Sequence, residues 1–352
     1  MGEIISFITD TLVPFITTLF VFSVVNGTPL LYGTLGEILT EKSGNLNLGV
    51  EGIMFMGGAA GLCGTYYLEK FCGVGEVNFY VAALVALLCA FIAGALAALL
   101  FSFITITLRA NQNVTGLALT IFGTGIGQFL PELVLHYEKA SAEAMGLSTS
   151  GIFITLSNNL KDTFPASPFP KFLQSIPVLG PILFQHNLLF YLGVLLAIVL
   201  WLFLTKTRKG LYLRSVGESP ATADAAGINV TKYKYLATII GGGISAIGGV
   251  AYTTGIAGCT WNHEGLSGVG WLSVALVIFC LWKPINVLWG SVLFGCLQIL
   301  YLRLELPFIP AQIYKILPYI VTLLVLILSS IRNKREKQPP ASLGLAYFRE
   351  ER

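Results

Sequence analysis

The 352-residue chain is predicted to be all-α, a polytopic integral membrane helical bundle of about 9–10 transmembrane helices, glycine-rich and open to breaks. Three observations carry this. The chain is 55% hydrophobic. It is only 11% charged, where soluble domains carry about 25%. Its apolar residues fall into charge-free runs long enough to cross a bilayer, and the mean hydropathy is +0.77. A compact soluble domain must clothe its surface in polar groups, so such a charge deficit is met only by a surface facing lipid.

The runs are Thr11–Gly36, Gly52–Leu68, Phe79–Leu108, Ala110–Pro131, Leu188–Leu204, Tyr235–Asn262, Gly265–Trp282, Pro284–Leu302 and Ile316–Ile331. The first contains Asn26-Gly27-Thr28-Pro29, a turn signal, which would split it into a span and a second short helix. Its start lacks a basic region and a cleavage site, so it reads as a span and not as a signal peptide. Orientation follows from Lys and Arg near span ends. Lys206, Arg208, Lys209, Arg214, Lys232 and Lys234 lie between the fifth and sixth runs, and Arg332, Lys334, Arg335 and Lys337 follow the last. Both segments are expected in the cytoplasm, an even number of spans apart. With nine spans the N-terminus lies outside, and a tenth would bring it in. One transmembrane domain is expected over 1–335, with an external loop at 136–187, a cytoplasmic loop at 205–234 and a cytoplasmic tail at 336–352. The external loop holds Pro165, Pro168, Pro170, Pro177 and Pro181, too broken for an independent domain.

Glycine crowds the apolar runs: Gly57 and Gly61, Gly123 and Gly127, and the group Gly241, Gly242, Gly243, Gly248 and Gly249. Small residues let helix backbones approach closely in lipid, and glycine also permits unwinding where the freed backbone is covered. Three polar clusters sit at run edges: Asn45, Asn47 and Glu51; Asn111, Gln112, Asn113 and Thr115; and Asn262, His263 and Glu264. Each serves equally as helix capping or as part of a solute path, and Asn45 and Asn113 resemble N-caps. The span count places Lys42–Glu51 on the cytoplasmic side, with Glu51 in the first turns of the following helix, where the dipole favours a negative charge. His263 beside Glu264 has no third ligand or nucleophile spaced to help it, so neither catalysis nor a metal site is expected. The six cysteines form no CxxC and read as small buried hydrophobes. A net charge of +3, clustered beside apolar runs, is no nucleic-acid signal.

Gly123–Gly127 lies inside a membrane run and follows no strand, so it is not a nucleotide loop, and no G-x-x-x-x-G-K-[ST] occurs anywhere. Any ATP is therefore bound by another subunit. Within the 205–234 loop, Ser219 reads as an N-cap, Pro220 as the first helical residue and Gly227 as the stop of a short helix. Its alanines give it a face with little bulk, suited to a partner's groove or to an ordinary connection.

Five blocks carry a family resemblance: "LGEILTEKSGNLNLGVEGIMFMGGAAG", "ANQNVTGLAL", "VLGPILFQHNLLFYLGVLLA", "RKGLYLRSVGESPATADAAGI" and "GVGWLSVALVIFCLWKPINVLWGSVLFG". The chain resembles the permease subunits of bacterial ABC importers, in the branched-chain amino acid, ribose and nucleoside superfamily. It is most similar to nucleoside-type permeases paired with a basic-membrane-protein-like lipoprotein. The late block departs from that pattern at Val269, Cys280 and Lys283–Pro284. The resemblance implies a second homologous permease, a cytoplasmic ABC ATPase holding ATP and Mg, and an external substrate-binding lipoprotein, with no cofactor in this chain and no nucleic-acid partner. It implies that Glu218, Ser219, Pro220, Ala223 and Gly227 couple to the ATPase. It also implies that Asn45, Asn47, Glu51, Gln112, Asn113, Thr115, Asn262, His263 and Glu264 line the path or its gate, in the bacterial cytoplasmic membrane. Simple sugars and branched-chain amino acids are rival cargoes; "GNLNLGVEG", in place of a "GGIDLSVG"-like block, speaks against sugars. An ion-coupled secondary transporter would need ionisable groups well inside the runs, where none is expected.

Overall fold

A computed structural model of the chain describes residues 13–145, 154–303, 316–324, 327 and 338–348, with 301–303 as backbone only. The helices are α1 Val13–Glu41, α2 Val50–Cys72, α3 Phe79–Ser102, α4 Gln112–Ala144, α5 Asn158–Thr163, α6 Lys171–Gln174, α7 Leu179–Phe184 and α8 Leu188–Lys206. They continue with α9 Arg208–Glu218, α10 Pro220–Ala225, α11 Val230–Gly255, α12 His263–Leu266, α13 Val269–Phe279 and α14 Pro284–Arg303. Residues 316–324 are also helical, and no strand occurs among the described residues beyond one bridge, Thr155 to Thr260. The chain is thus an all-α bundle, and five helices (α1, α3 with its π-helical end, α4, α8 and α11) are long and apolar enough to cross a membrane.

α3 shows how the bundle is built. Ala83, Ala86, Ala90, Gly94, Ala97 and Ala98 are buried, while Leu84, Leu88, Ile92 and Leu96 are exposed. Small residues face inward and large ones outward, which inverts a soluble helix, because lipid solvates leucine and only close packing holds helices together. α11 is the hub. In its apolar window 78% of residues are buried, against about a third in α1, α3 and α4. Its glycines lie at backbone crossings: a β-carbon at Gly249 would stand 2.0 Å from the Met54 carbonyl oxygen, and one at Gly241 would stand 2.6 Å from that of Gly36. The glycines of this run therefore serve close approach, and the helix is unbroken.

Two expectations are corrected. The turn signal at Asn26–Pro29 does not turn, for α1 runs through Pro29 without a break. Gly27 lies against the α14 backbone, where a β-carbon would meet the Ser291 carbonyl oxygen at 2.4 Å. The Asn26 amide donates to Phe22 O at 2.9 Å and Thr28 Oγ1 to Val24 O at 2.7 Å, both within the helix. Packing here overrides turn chemistry, so the tenth element is absent from the described residues of that run. The break falls instead in the run Gly265–Trp282, which is divided into α12 and α13 by Gly268, at φ +90. α13 has eleven residues and rises about 16 Å, half of a ~30 Å hydrocarbon core.

The loop predicted at 205–234 holds α9 as well as the short helix α10. With Lys206, Arg208, Lys209, Arg214, Lys232 and Lys234 in that loop, the end of the bundle that carries it is the basic end. There residues 338–348 lie as a strap. Ser342 donates through N and Oγ to Gly217 O (3.0 and 2.6 Å), and Gly344 N donates to Gly44 O at 3.2 Å. Tyr347 OH donates to Asp224 Oδ2 at 2.8 Å, and the Arg109 guanidinium stands 4.7 Å over the Phe348 ring. At the opposite end α4 continues as helix to Ala144, into what was expected to be loop, and Asn187 caps α8 by accepting from Phe190 N.

Candidate functional site

α1 ends at the basic end, where Lys42 is half-buried. Burial pulls the Lys42 ammonium below the usual lysine range, and Glu218 pulls it the other way. The chain then turns back into the bundle. Asn45 is fully buried and its Nδ2 donates to Thr238 Oγ1 at 2.9 Å. Leu46 N donates to Gln112 Oε1 at 2.7 Å, and Asn47 N donates to Glu37 Oε1 at 3.0 Å. Asn47 Oδ1 accepts from Gly49 N at 2.9 Å and so supports the turn into α2. Buried non-helical backbone at membrane depth needs such partners, because no water is there to supply them.

Glu51 stands in the first turn of α2 but serves another helix. Its Oε1 accepts from Gly268 N at 2.5 Å, and its Oε2 accepts from Gly270 N at 2.6 Å and Trp271 N at 3.2 Å. These are orphan N–H groups at the start of α13, where the helix dipole also favours an anion. α13 ends near Trp282, whose Nε1 donates to Glu41 at the close of α1. Glu51 therefore lies about 16 Å in from the basic end, one α13 length away. The expected position at the membrane mouth is corrected: the chain re-enters, and the carboxylate is deep. The same approach fixes Gly270, where a β-carbon would meet Glu51 Cα at 2.3 Å.

Two cavities flank this plug. The one at the basic end, about 800 Å³, is lined by Asn45, Arg109, Gln112, Lys232, Lys234 and Tyr347 among others. The other, about 490 Å³, lies toward the opposite end. Asn26, Tyr252, Ser267, Gly268, Gln298 and Tyr319 are among its lining residues. Segment 45–51, with the α13 start that it holds, separates them.

Of the polar residues singled out from sequence, Asn45, Asn47, Glu51 and Gln112 come together in this plug. Asn113 does not join them: it is exposed, and the cap of α4 is Asn111, whose Oδ1 accepts from Val114 N at 3.2 Å. Thr115 Oγ1 donates to Asn111 O at 2.8 Å. Asn262 caps α12, accepting from Gly265 N at 3.3 Å, while His263 and Glu264 are exposed and outside both cavities. Sequence reasoning missed Glu37 and Glu41, both buried, although their i, i+4 spacing at the end of a charge-free run marks a shared face. They are ionisable groups buried in the bundle just past the end of the first apolar run, so the runs themselves stay free of charge. It also missed the second cavity, whose lining residues lie on six helices, just after α11 and in the link between α12 and α13.

The surface at the basic end is built locally. Ser219 Oγ accepts from Thr222 N at 3.4 Å, Pro220 opens α10, and Gly227 closes it at φ +82. Ala223 is buried against Val216 of α9 and Val230 of α11, while Glu218, Ala221, Thr222, Ala225 and Ala226 are exposed. The three helices thus share one small core beneath an exposed face of small side chains.

A family model described as the permease component of the branched-chain amino acid transport system matches residues 19–326. The chain is 33% identical over 311 residues to the guanosine ABC transporter permease protein NupQ of Bacillus subtilis, covering 86% of this chain and 89% of that one. It is 31% identical over 309 residues to the nucleoside ABC transporter permease protein NupC of Lactococcus lactis, covering 86% and 89%. It is 32% identical over 347 residues to a Haloferax volcanii protein with the provisional name of glucose ABC transporter permease protein TsgC13, covering 92% and 95%.

Proposed function

From the premise that the chain belongs to this family of ABC transport permease components, we propose that it forms, with a second homologous permease, the path by which an ATP-driven importer takes up nucleosides. The observation that carries the reading is the unit α9–α10–α11. α10 offers an exposed, small-sided face outside the bundle. Its buried side, Ala223, is locked to the first residue of α11, Val230. α11 is the hub helix, and its far end supplies Tyr252 to the second cavity. A displacement of α10 therefore has a single rigid element through which to reach the solute cavity.

In this mechanism the basic end faces the cytoplasm of a cell with an inner membrane. An ABC ATPase, which binds ATP and Mg, closes on α10 and carries Glu218, Ser219, Pro220, Ala223 and Gly227 with it. The plug of Asn45, Asn47, Glu51 and Gln112 is the barrier between the outward cavity and the cytoplasmic one. Its parts are separate segments held by hydrogen bonds, so it can open without unfolding a span. An external lipoprotein delivers the solute, and this chain does no covalent chemistry. The cargo follows the guanosine and nucleoside relatives; a simple sugar is the second reading, favoured by the relative named for glucose.

Deleting Pro220–Gly227 is expected to abolish uptake while the chain stays in the membrane. Uptake that persists in the deletion and ignores ATP depletion overturns the reading.

A further inference from the structure

We infer that the cavity on the far side of the plug is a binding site for an uncharged solute carrying a planar, amide-edged ring, a nucleoside, and that it rejects zwitterionic amino acids. The inference rests on the transport reading, since it gives that path its chemical class.

Among the described residues no Asp, Glu, Lys, Arg or His borders this cavity of about 490 Å³. The Glu51 carboxylate stands behind the Gly268 floor, and both of its oxygens are taken by backbone N–H groups of Gly268, Gly270 and Trp271. An amino acid entering here would shed water from an ammonium and a carboxylate and find no opposite charge for either among the described lining residues. The cavity at the basic end differs sharply, with Arg109, Lys232 and Lys234 on its wall.

What the lining offers is also specific. Asn26 and Gln298 bring two carboxamides, from α1 and α14. Asn26 donates one hydrogen to Phe22 O, and no described hydrogen bond uses its oxygen. None uses the Gln298 amide. A carboxamide is a donor and an acceptor side by side, and so matches the paired C=O and N–H on the edge of a nucleobase. Tyr252 and Tyr319 supply two aromatic rings with hydroxyls, which suits a base face and ribose hydroxyls. Ser267 adds a third hydroxyl at the floor. Tyr252 is positioned by the chain itself, because its hydroxyl occupies the space that a side chain at Gly265 would need, 1.9 Å from a β-carbon there.

The test uses the full-length chain, with its partner subunits, in lipid nanodiscs. Binding of uridine at millimolar concentration is followed by saturation-transfer NMR, with D-glucose and L-leucine as comparison probes. Uridine is expected to bind and leucine not to. Gln298→Leu and Asn26→Leu should each weaken uridine binding at least fivefold, with elution as an intact complex unchanged. ATP-driven uridine uptake in proteoliposomes, at saturating binding protein, should fall in the same variants. Leucine displacing uridine, or both variants binding and moving uridine like the parent, overturns the inference. Glucose binding as well as uridine overturns the base-recognition half. If uridine binds with the expected variant pattern and no ATP-driven uptake occurs, the cavity stands and the transport reading falls.

Discussion

At the scale of single residues, Glu51 decides most. Its carboxylate holds three N–H groups that α13 cannot satisfy by itself. Hydrogen bonds to a charged group contribute about 1.5–3 kcal/mol each when their loss leaves a buried partner unmet, with partial relief from relaxation. Glu51→Ala is expected to destabilise the purified protein by about 3 kcal/mol, and Glu51→Gln by less, since one carbonyl oxygen remains. Thermal unfolding in detergent checks this, and an unshifted midpoint in the alanine variant would show that α13 starts without it. His186 offers a pH test. It lies beside α8, its ring 4.9 Å from that of Phe190, with Nε2 on Ile182 O and no partner on Nδ1. Burial pushes its pKa below the ordinary 6.5. As pH falls below that value the unfolded chain takes up the proton first, so stability should drop on acidification, and His186→Gln should blunt the drop. The sequence made Glu51 a candidate because a carboxylate at a run edge is conspicuous. It could not reveal the partner, which lies more than two hundred residues away and offers only backbone.

At the scale of elements, spans were legible because lipid imposes a length and a composition. Each of the nine apolar runs contains helix among its described residues. The break was not legible. Asn-Gly-Thr-Pro is a strong local turn signal, yet α14 presses on Gly27 and keeps α1 straight, while Gly268 sits in a run with no turn chemistry as strong. Local preference yields to tertiary contact when the contact is backbone on backbone. The glycines make this testable. At Gly249 a methyl would collide with the Met54 carbonyl, whereas at Gly125 in α4 nothing lies within 4 Å. Gly249→Ala is expected to cost about 1–3 kcal/mol through overpacking. Gly125→Ala should be neutral or stabilising by up to about 1 kcal/mol from helix propensity. Equal effects on the unfolding midpoint would mean that the close crossing of α2 and α11 carries no special weight.

At the scale of the whole molecule, the sequence allowed the two ends of the bundle to be told apart by charge, but did not reveal that residues 338–348 tie the short helices α9 and α10 to the chain beside the plug. The strap reads Gln-Pro-Pro-Ala-Ser-Leu-Gly-Leu-Ala-Tyr-Phe, a short stretch broken by proline and glycine with no periodicity to read. The strap touches Gly44 beside the plug, Gly217 before α10 and Asp224 within it. Ending the chain after residue 337 should leave it in the membrane and lower the solute moved per ATP hydrolysed, measured in proteoliposomes; an unchanged ratio would reduce the strap to packing. The strap also has a meaning in time. Residue 44 is translated early and threads into the bilayer long before residue 344 leaves the ribosome. Until that moment the carbonyls of Gly44 and Gly217 lack their strap donors, and the basic end is unfinished. A nascent chain thus carries a built-in sign of incompleteness at its basic end, erased only when residues 338–348 arrive.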